Sequence, residues 1–557
     1  MRGRDSRKLL SQEKVIMEKE NTGINAIRNP YINQGTAFNK KARAELKLQG
    51  LLPPKIQSIE IQEKHFMDRL KNLEANLDKY MLLDGLRSRN RTLFFYVLRN
   101  NIEELLPIVY TPTIGKACSE FSQFFENTIG LYLTIEDKGH VGEILDNFPE
   151  NDIEVIVVTD GERVLGLGDL GCGGMGISKA VSELCTSCAG IDPKKVLPVL
   201  VDVGTNNVSL LNDPLYIGLS HNRITGKSYF DLFEEFIVEA KKRWPNAIVQ
   251  FEAFANKNAF QLLDIWREKV NCFNNEIQGT AAVAVAGLHS AVRIKGTQLK
   301  DEKFLFFGAG EAALGIANLL TEAIVHEGAT PEEARQRITL FDSHGLVTAS
   351  REDLSDLKGR YAHDIPDSST FLEALENVKP TAIIGVAAQA GAFNAYVLGT
   401  MARINERPII FSLSNPTVKS ECTARDAYFY TVGKGIFACG SPFAKVEYED
   451  RVFIPRQCNN AYVFPGINLG LTAVKAKQIP DGVFLVAAKA LADTVTEEDL
   501  EAGSLYPPVK NTLHFSWRIA RAVGQYCRDK EIAEDMTSDL DLLLKNRVYE
   551  PHYPEIE

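Results

Sequence analysis

The chain has 557 residues, 45% of them hydrophobic and 24% charged, with a formal net charge of −11. That length exceeds one hydrophobic core, so roughly two to four domains are expected. The acidic balance argues against nucleic-acid or acidic-membrane partners, and no apolar run reaches the roughly 18 residues needed to insert across a bilayer.

The first residues, MRGRDSRKLLSQEK, are basic and have no apolar centre, so they are not a secretory signal. They read as a basic tail or as the end of a mitochondrial transit peptide, leaving mitochondrial and cytoplasmic locations open. Residues 40–125 read as helices, because apolar positions recur at three and four in MDRLKNLEANLDKYMLL and RTLFFYVLRNNIEELL. VYTPT (109–113) follows, with Tyr110 ahead of a proline turn. After about 130 the period changes. IEVIVVTD (153–160), VLPVLVDVG (196–204) and NAIVQFE (246–252) read as buried strands, and FDLFEEFIVEAKKRW as an amphipathic helix between them. This alternation predicts a parallel sheet. Cys185 and Cys188 form a lone CxxC in a helical, apolar segment and read as buried thiols; nine scattered cysteines suit a reducing compartment. A second alternating region starts near 280 with KFLFFGAGEAALGIANLL, ITLFDSHG, TAIIGVAA and RPIIFSLSNP. The last 25 residues read as a surface helix and tail.

The clearest motif is FFGAGEAALG. Gly308, Gly310 and Ala313 give GxGxxA directly after a strand and at the opening of a helix, where the backbone approaches a pyrophosphate. Asp342, at the end of the next strand, is the acid expected near the ribose. This predicts a Rossmann-type site for NAD or NADP. In TDGERVLGLGDLG, Arg163 follows a strand end and can clamp a carboxylate. Asn415 in SLSNPT and Asn460 in CNNAYVFPG sit in polar loops that either fix a small substrate or make turns.

Together these stretches resemble the malic enzymes of the large eukaryotic subunit type, from RNPYINQGTAF at residue 28 to about residue 532. PIVYTPT, DVGTNN, DPLYIGL, QGTAAVAVAGL, INERPIIFSLSNPT and FPGINLG carry the resemblance with the motifs above. It implies oxidative decarboxylation of L-malate to pyruvate and CO2, NAD or NADP as oxidant, and a divalent Mn or Mg. It also implies a homo-oligomer, a dimer or a homotetramer. Carried over, Tyr110 matches the general acid, Arg163, Asn415 and Asn460 the substrate contacts, and Gly308, Gly310, Ala313 and Asp342 the dinucleotide site. The implied architecture is α/β, with a helical N-terminal domain (1–128) and a parallel-sheet substrate domain (129–274 and 461–532). A Rossmann-type domain (275–460) is inserted into the latter, and a tail (533–557) ends the chain.

The departures fall at the chemistry. The resemblance implies a Glu-Asp pair and a later Asp around the metal. Here Glu252 is retained, Ala253 has no ligand atom, and Glu276 replaces the later Asp beside Asn275. Glu252 and Glu276 are therefore the residues left to hold a metal, in a weakened or lost site. The general-base lysine position after GMGI is Val181. Lys179, two residues earlier and about 200° around a helix, is the remaining base. Two readings stay open: an enzyme of reduced turnover, or an inactive dinucleotide-binding paralogue acting as a scaffold or regulatory subunit. Arg89 matches one of two arginines implied for fumarate control and His65 stands at the other.

Overall fold

The computed structural model describes residues 21–127 and 130–553. The expectation of a leader or basic tail before residue 21 lies outside them. The chain divides into two compact units, one of residues 1–128 with 549–557 and the other of residues 129–548.

The first unit is helical, as the three-four periodicity predicts. Helices Ile59–Lys71, Asn76–Arg89, Arg91–Asn100 and Ile102–Val109 follow one another closely. Asn90 separates two of them: its side chain accepts the Leu93 N–H at 2.9 Å and caps the helix carrying Phe94, Phe95, Val97 and Leu98 inward. The end of the chain completes this unit. Tyr549 packs edge-on against Phe95 at 6.2 Å. Arg99 pairs with Glu550 at 2.8 Å, Asn90 donates to the Tyr553 hydroxyl at 2.8 Å, and that hydroxyl donates to Gln62 at 2.6 Å. The final residues are thus more than a solvated tail, because two tyrosines anchor an otherwise polar segment. Just before them, helix Leu540–Arg547 buries Leu540 and Leu544 in the second unit.

The second unit holds two large sheets and a two-stranded antiparallel hairpin, Val446–Tyr448 with Arg451–Phe453. Strands β1 (Leu131–Thr134), β2 (Val155–Thr159), β3 (Val196–Asp202), β4 (Ile248–Phe251) and β5 (Cys272–Asn274) form an all-parallel sheet in the order β1-β3-β2-β4-β5. Every residue of β2, β3 and β4 is buried, which is why these segments read as continuous apolar runs. Strands β6 (Phe304–Phe307), β7 (Ile338–Asp342), β8 (Gly345–Leu346), β9 (Ala382–Gly385), β10 (Ile409–Ser412) and β11 (Ile436–Cys439) form the second, in the order β11-β10-β9-β6-β7-β8. Only β8 runs antiparallel to its neighbour in it. Both sheets reverse their strand order internally, between β2 and β4 in the first and between β6 and β9 in the second. At such points the flanking loops splay apart beyond the strand ends and leave a crevice. Cys185 and Cys188 are buried in helix Met175–Ala189.

Candidate active site

The first crevice forms where β2 runs out into Asp160-Gly161-Glu162-Arg163 and β4 into Glu252-Ala253. Gly161 has φ +68°, and a Cβ there would lie 2.1 Å from the Gly171 carbonyl, so only glycine turns this corner. The turn delivers the Arg163 N–H to the Ala253 carbonyl at 3.1 Å. Beneath it Arg223 donates to the Asp160 carbonyl at 2.8 Å and to Asp169 through Nε at 2.8 Å and Nη2 at 2.9 Å. Burial raises the Asp160 carboxyl above its ordinary range, against Arg223 and the Tyr229 hydroxyl that donates to it at 2.7 Å. Burial would raise Asp169, but the hydrogen bonds and charge of Arg223, with the Asn206 N–H, together outweigh it and hold that carboxyl low. This cluster supports the loop and leaves Arg163 exposed at its tip.

Glu252 and Glu276 meet at the centre. Glu252 is 2% exposed. Its carboxyl is hydrogen-bonded to Glu276, and it also accepts from Asn275 at 3.0 Å and Gln250 at 3.3 Å. Burial raises Glu252 well above the carboxylate range, and the charge of Glu276 adds to that. Burial raises Glu276 too, but Glu252, the Ala253 N–H and Arg163 stabilise its ionised form. Both buried carboxyls therefore disfavour ionisation, Glu252 the more strongly. Ala253 sits at φ +56°, in the left-handed region, and donates its N–H to Glu276 at 2.7 Å. Glu276 rides on a π-helical turn, Asn275–Gly279, that follows β5.

The face of helix Met175–Ala189 that reaches this network is apolar. Cys185 accepts a hydrogen bond from Asn468 at 3.5 Å; Asn468 donates to Gln250 at 2.8 Å, and Gln250 to Glu252. Val181 lies one turn before Cys185 on the same face and is fully buried. Lys179 is buried in the same helix, about 200° away from Val181.

These residues do not fit a divalent Mn or Mg. A hard cation of this kind needs several ionised oxygen ligands in octahedral geometry. Ala253 offers no ligand atom, one Glu276 oxygen is taken by the Ala253 N–H, and Asn275 presents its amide nitrogen to Glu252. Among the described residues no group of three or more His, Cys, Asp or Glu side chains is arranged to hold a metal.

The second crevice does fit a dinucleotide. Gly308, with φ +117°, turns the chain beside Val386, where a Cβ would approach within 3.1 Å. A Cβ on Gly310 would meet nothing within 4 Å, which leaves open space at the N-terminus of helix Glu311–His326. Ala313 is fully buried. Asp342 ends β7, and its carboxylate is enclosed by Arg351 at 2.9 and 3.2 Å and Lys358 at 2.9 Å. Burial would raise it, but hydrogen bonds from these two cations hold it far below the usual range. Glu311, the first residue of the helix, has its carboxyl raised to about 8 by burial, with Arg163 opposing and Glu276 adding.

Of the residues singled out in the sequence, Arg163, Glu252, Glu276, Asn415 and Asn460 converge. A Cβ on Gly166 would lie 2.8 Å from the Asn415 carbonyl, so the Arg163 loop touches the Asn415 loop. A Cβ on Gly279 would lie 3.8 Å from Cβ of Asn460, beside the Glu276 turn. Tyr110 belongs to the first unit, where it is buried at the end of helix Ile102–Val109. Sequence reasoning missed Arg351, Glu311 and Arg223. A basic residue shortly after an acid at a strand end is the signal that points to Arg351; Arg223 has none.

Residues 87–267 match the family model described as malic enzyme, N-terminal domain, and residues 277–528 match malic enzyme, NAD binding domain. The chain belongs to the malic enzyme family. It is 48% identical over 535 residues to the human NADP-dependent malic enzyme, mitochondrial, covering 95% of this chain and 89% of that protein. It is 46% identical to the NADP-dependent malic enzyme of Anas platyrhynchos, covering 95% and 96%. The crystal structure of Entamoeba histolytica malic enzyme shares the fold with a TM-score of 0.57 at 21% identity, over 91% of this chain and 92% of that one. No helix among the described residues of this malic enzyme family member is long and apolar enough to cross a membrane.

Proposed function

We propose that this member of the malic enzyme family binds NADP(H) and a malate-like dicarboxylate but turns malate over slowly or not at all, acting through the bound state. The observation that carries this is the buried site of Glu252 and Glu276, which accept from Asn275 and the Ala253 N–H where the resemblance implies carboxylates, together with a buried Val181 at the general-base position. Hydride leaves a secondary alcohol only when its hydroxyl proton is removed, and a positioned base supplies typically 10²–10⁴-fold of rate. Val181 cannot accept a proton, and Ala253 and Asn275 offer no carboxylate to a cation.

Binding groups remain. The dinucleotide pyrophosphate would lie against Gly308 and Gly310. Asp342 presents a face already neutralised by Arg351 and Lys358, so a ribose 2′-phosphate there meets basic groups; this favours NADP over NAD. Arg163, Asn415 and Asn460 would fix the two carboxylates of the substrate. In this reading residues 275–460 hold the dinucleotide, residues 129–274 and 461–532 the substrate, and the chain works as a homo-oligomer.

A second reading keeps turnover with Lys179 as base, favoured by its burial in the helix that supports the site. The deciding experiment compares NADPH production from L-malate and Mn by the natural chain and by a variant carrying Val181→Lys, Ala253→Asp, Asn275→Asp and Glu276→Asp. The proposal expects silence from the first and activity from the second, with NADPH binding by both. Turnover by the natural chain that disappears in Lys179→Met would establish the second reading instead.

A further inference from the structure

A cavity of about 460 Å³ lies against helix Glu311–His326, whose Gly315, Asn318, Leu319 and Glu322 line it. That volume is within the usual range for small-molecule sites. Its floor is apolar, made by Phe260, Leu263, Leu319 and Phe484. Its rim carries Arg335 and Arg360, which both act on the Tyr361 hydroxyl. Tyr361 itself is fixed: it is 2% exposed, and its hydroxyl donates to Asn318 at 2.8 Å and meets Thr321 at 3.2 Å. Arg360 forms no ion pair among the described residues. Arg335 reaches only Glu332, at 3.1 Å on the surface. The third arginine, Arg267, is already matched by Asp481 at 2.9 Å, and Gln278 donates to the other oxygen of Asp481 at 2.8 Å. Arg335 and Arg360 thus stand at the solvent-facing edge of the cavity with no ion pair inside it.

We infer that this cavity is a binding site for a small organic monoanion with an apolar body, such as an aromatic or branched-chain carboxylate. The floor takes the body and Arg335 and Arg360 take the anionic head. Glu322 and Asp264, also on the lining, repel a second negative group, so a dicarboxylate of the malate type is disfavoured.

The walls connect this site to both crevices. Ile277 and Gln278 line the cavity and belong to the π-helical turn that presents Glu276. Gly315, on the dinucleotide helix, packs so closely against that turn that a Cβ would lie 2.8 Å from the Ile277 carbonyl. Leu357 and Arg360 flank Lys358, the partner of Asp342. An occupant holds the Lys358 turn and the dinucleotide helix together, so it changes the affinity for NADP(H). That coupling rests on the proposed dinucleotide site; the cavity does not.

The probe is benzoate, titrated calorimetrically into the full-length protein. One site per chain is expected, with phthalate binding more weakly than benzoate. Arg335→Glu with Arg360→Glu lowers benzoate affinity by about tenfold or more. Thr321→Trp fills the cavity without changing charge and abolishes binding by a different route, so either variant decides if the other misfolds. NADPH affinity, read by fluorescence in the same samples, shifts by about fivefold or more when benzoate is saturating. Absence of benzoate binding, or binding that survives both changes, overturns the site. Benzoate binding with unmoved NADPH affinity overturns the coupling. Failure of NADPH to bind at all refutes the proposed function and leaves the site to be judged on benzoate alone.

Discussion

Replacing Glu252 by glutamine bears most directly on the acid pair. Glu252 is 2% exposed, and burial first and the neighbouring charge of Glu276 second raise its carboxyl well above the ordinary range in the folded protein. Unfolded, it releases that proton near its ordinary value. Between the two values the native state binds more protons than the unfolded state, so the stability contributed by the retained proton falls as pH rises. Each pH unit inside that window removes up to about 1.4 kcal/mol. Glutamine has no proton to lose. Its carbonyl can accept from Asn275 and Gln250 as Glu252 does, and its amide can donate to Glu276. The variant should thus gain on the natural chain by about 1–3 kcal/mol between about pH 6 and pH 8. Urea unfolding of both chains across that range, without added divalent cation, reads the difference while other titrating groups cancel. A difference that does not change with pH would refute the raised Glu252 carboxyl. A uniform loss of about 3–5 kcal/mol in the variant would instead mean an ionised, paired Glu252.

Three further outcomes are expected. Mn should leave the unfolding midpoint of the natural chain unmoved, whereas the fourfold variant that restores Lys and Asp should gain up to about 2.7 kcal/mol at a hundredfold excess over its Kd; a thermal shift in the natural chain would sink the reading of the acid pair. Lys358→Ala should weaken NADPH by roughly 1.5–3 kcal/mol, the range for a hydrogen bond to a charged group, and spare NADH; fluorescence titration with both nucleotides checks this, and equal losses would remove the case for NADP. Arg223→Met should cost about 3–5 kcal/mol, because it strands Asp160 and Asp169 without their cation; a chemical-denaturation difference below about 1 kcal/mol would show that the cluster is held together otherwise.

The dinucleotide crevice was legible because its parts are contiguous: a strand, two glycines and a helix within about ten residues. Arg163, Glu252 and Asn415 stand out because each follows a strand, and parallel strands bring their carboxyl ends to one edge; Asn460 stands in a polar loop opening a short 3-10 turn. What stayed hidden depends on distance and burial. Asp342 stands out in the sequence as an acid, but its neutralisation comes from residues 9 and 16 positions on. Arg223 lies 63 positions from Asp160, and no local pattern connects them. The loss of ligands at Ala253 and Asn275 could be read from residue identity. The new contact could not: the left-handed backbone at Ala253 turns its N–H onto the Glu276 carboxylate.

The return of residues 549–553 to the first unit has a consequence for synthesis. The helices of residues 24–119 leave the ribosome before the second unit, and Tyr549, Glu550 and Tyr553 follow it. The first unit must therefore wait, with the Phe95 surface uncovered, until the second unit has been translated. A nascent chain stalled before residue 549 would present the sheets of the second unit complete and the first unit unclosed, which makes residues 549–553 a checkpoint on the integrity of the helical unit.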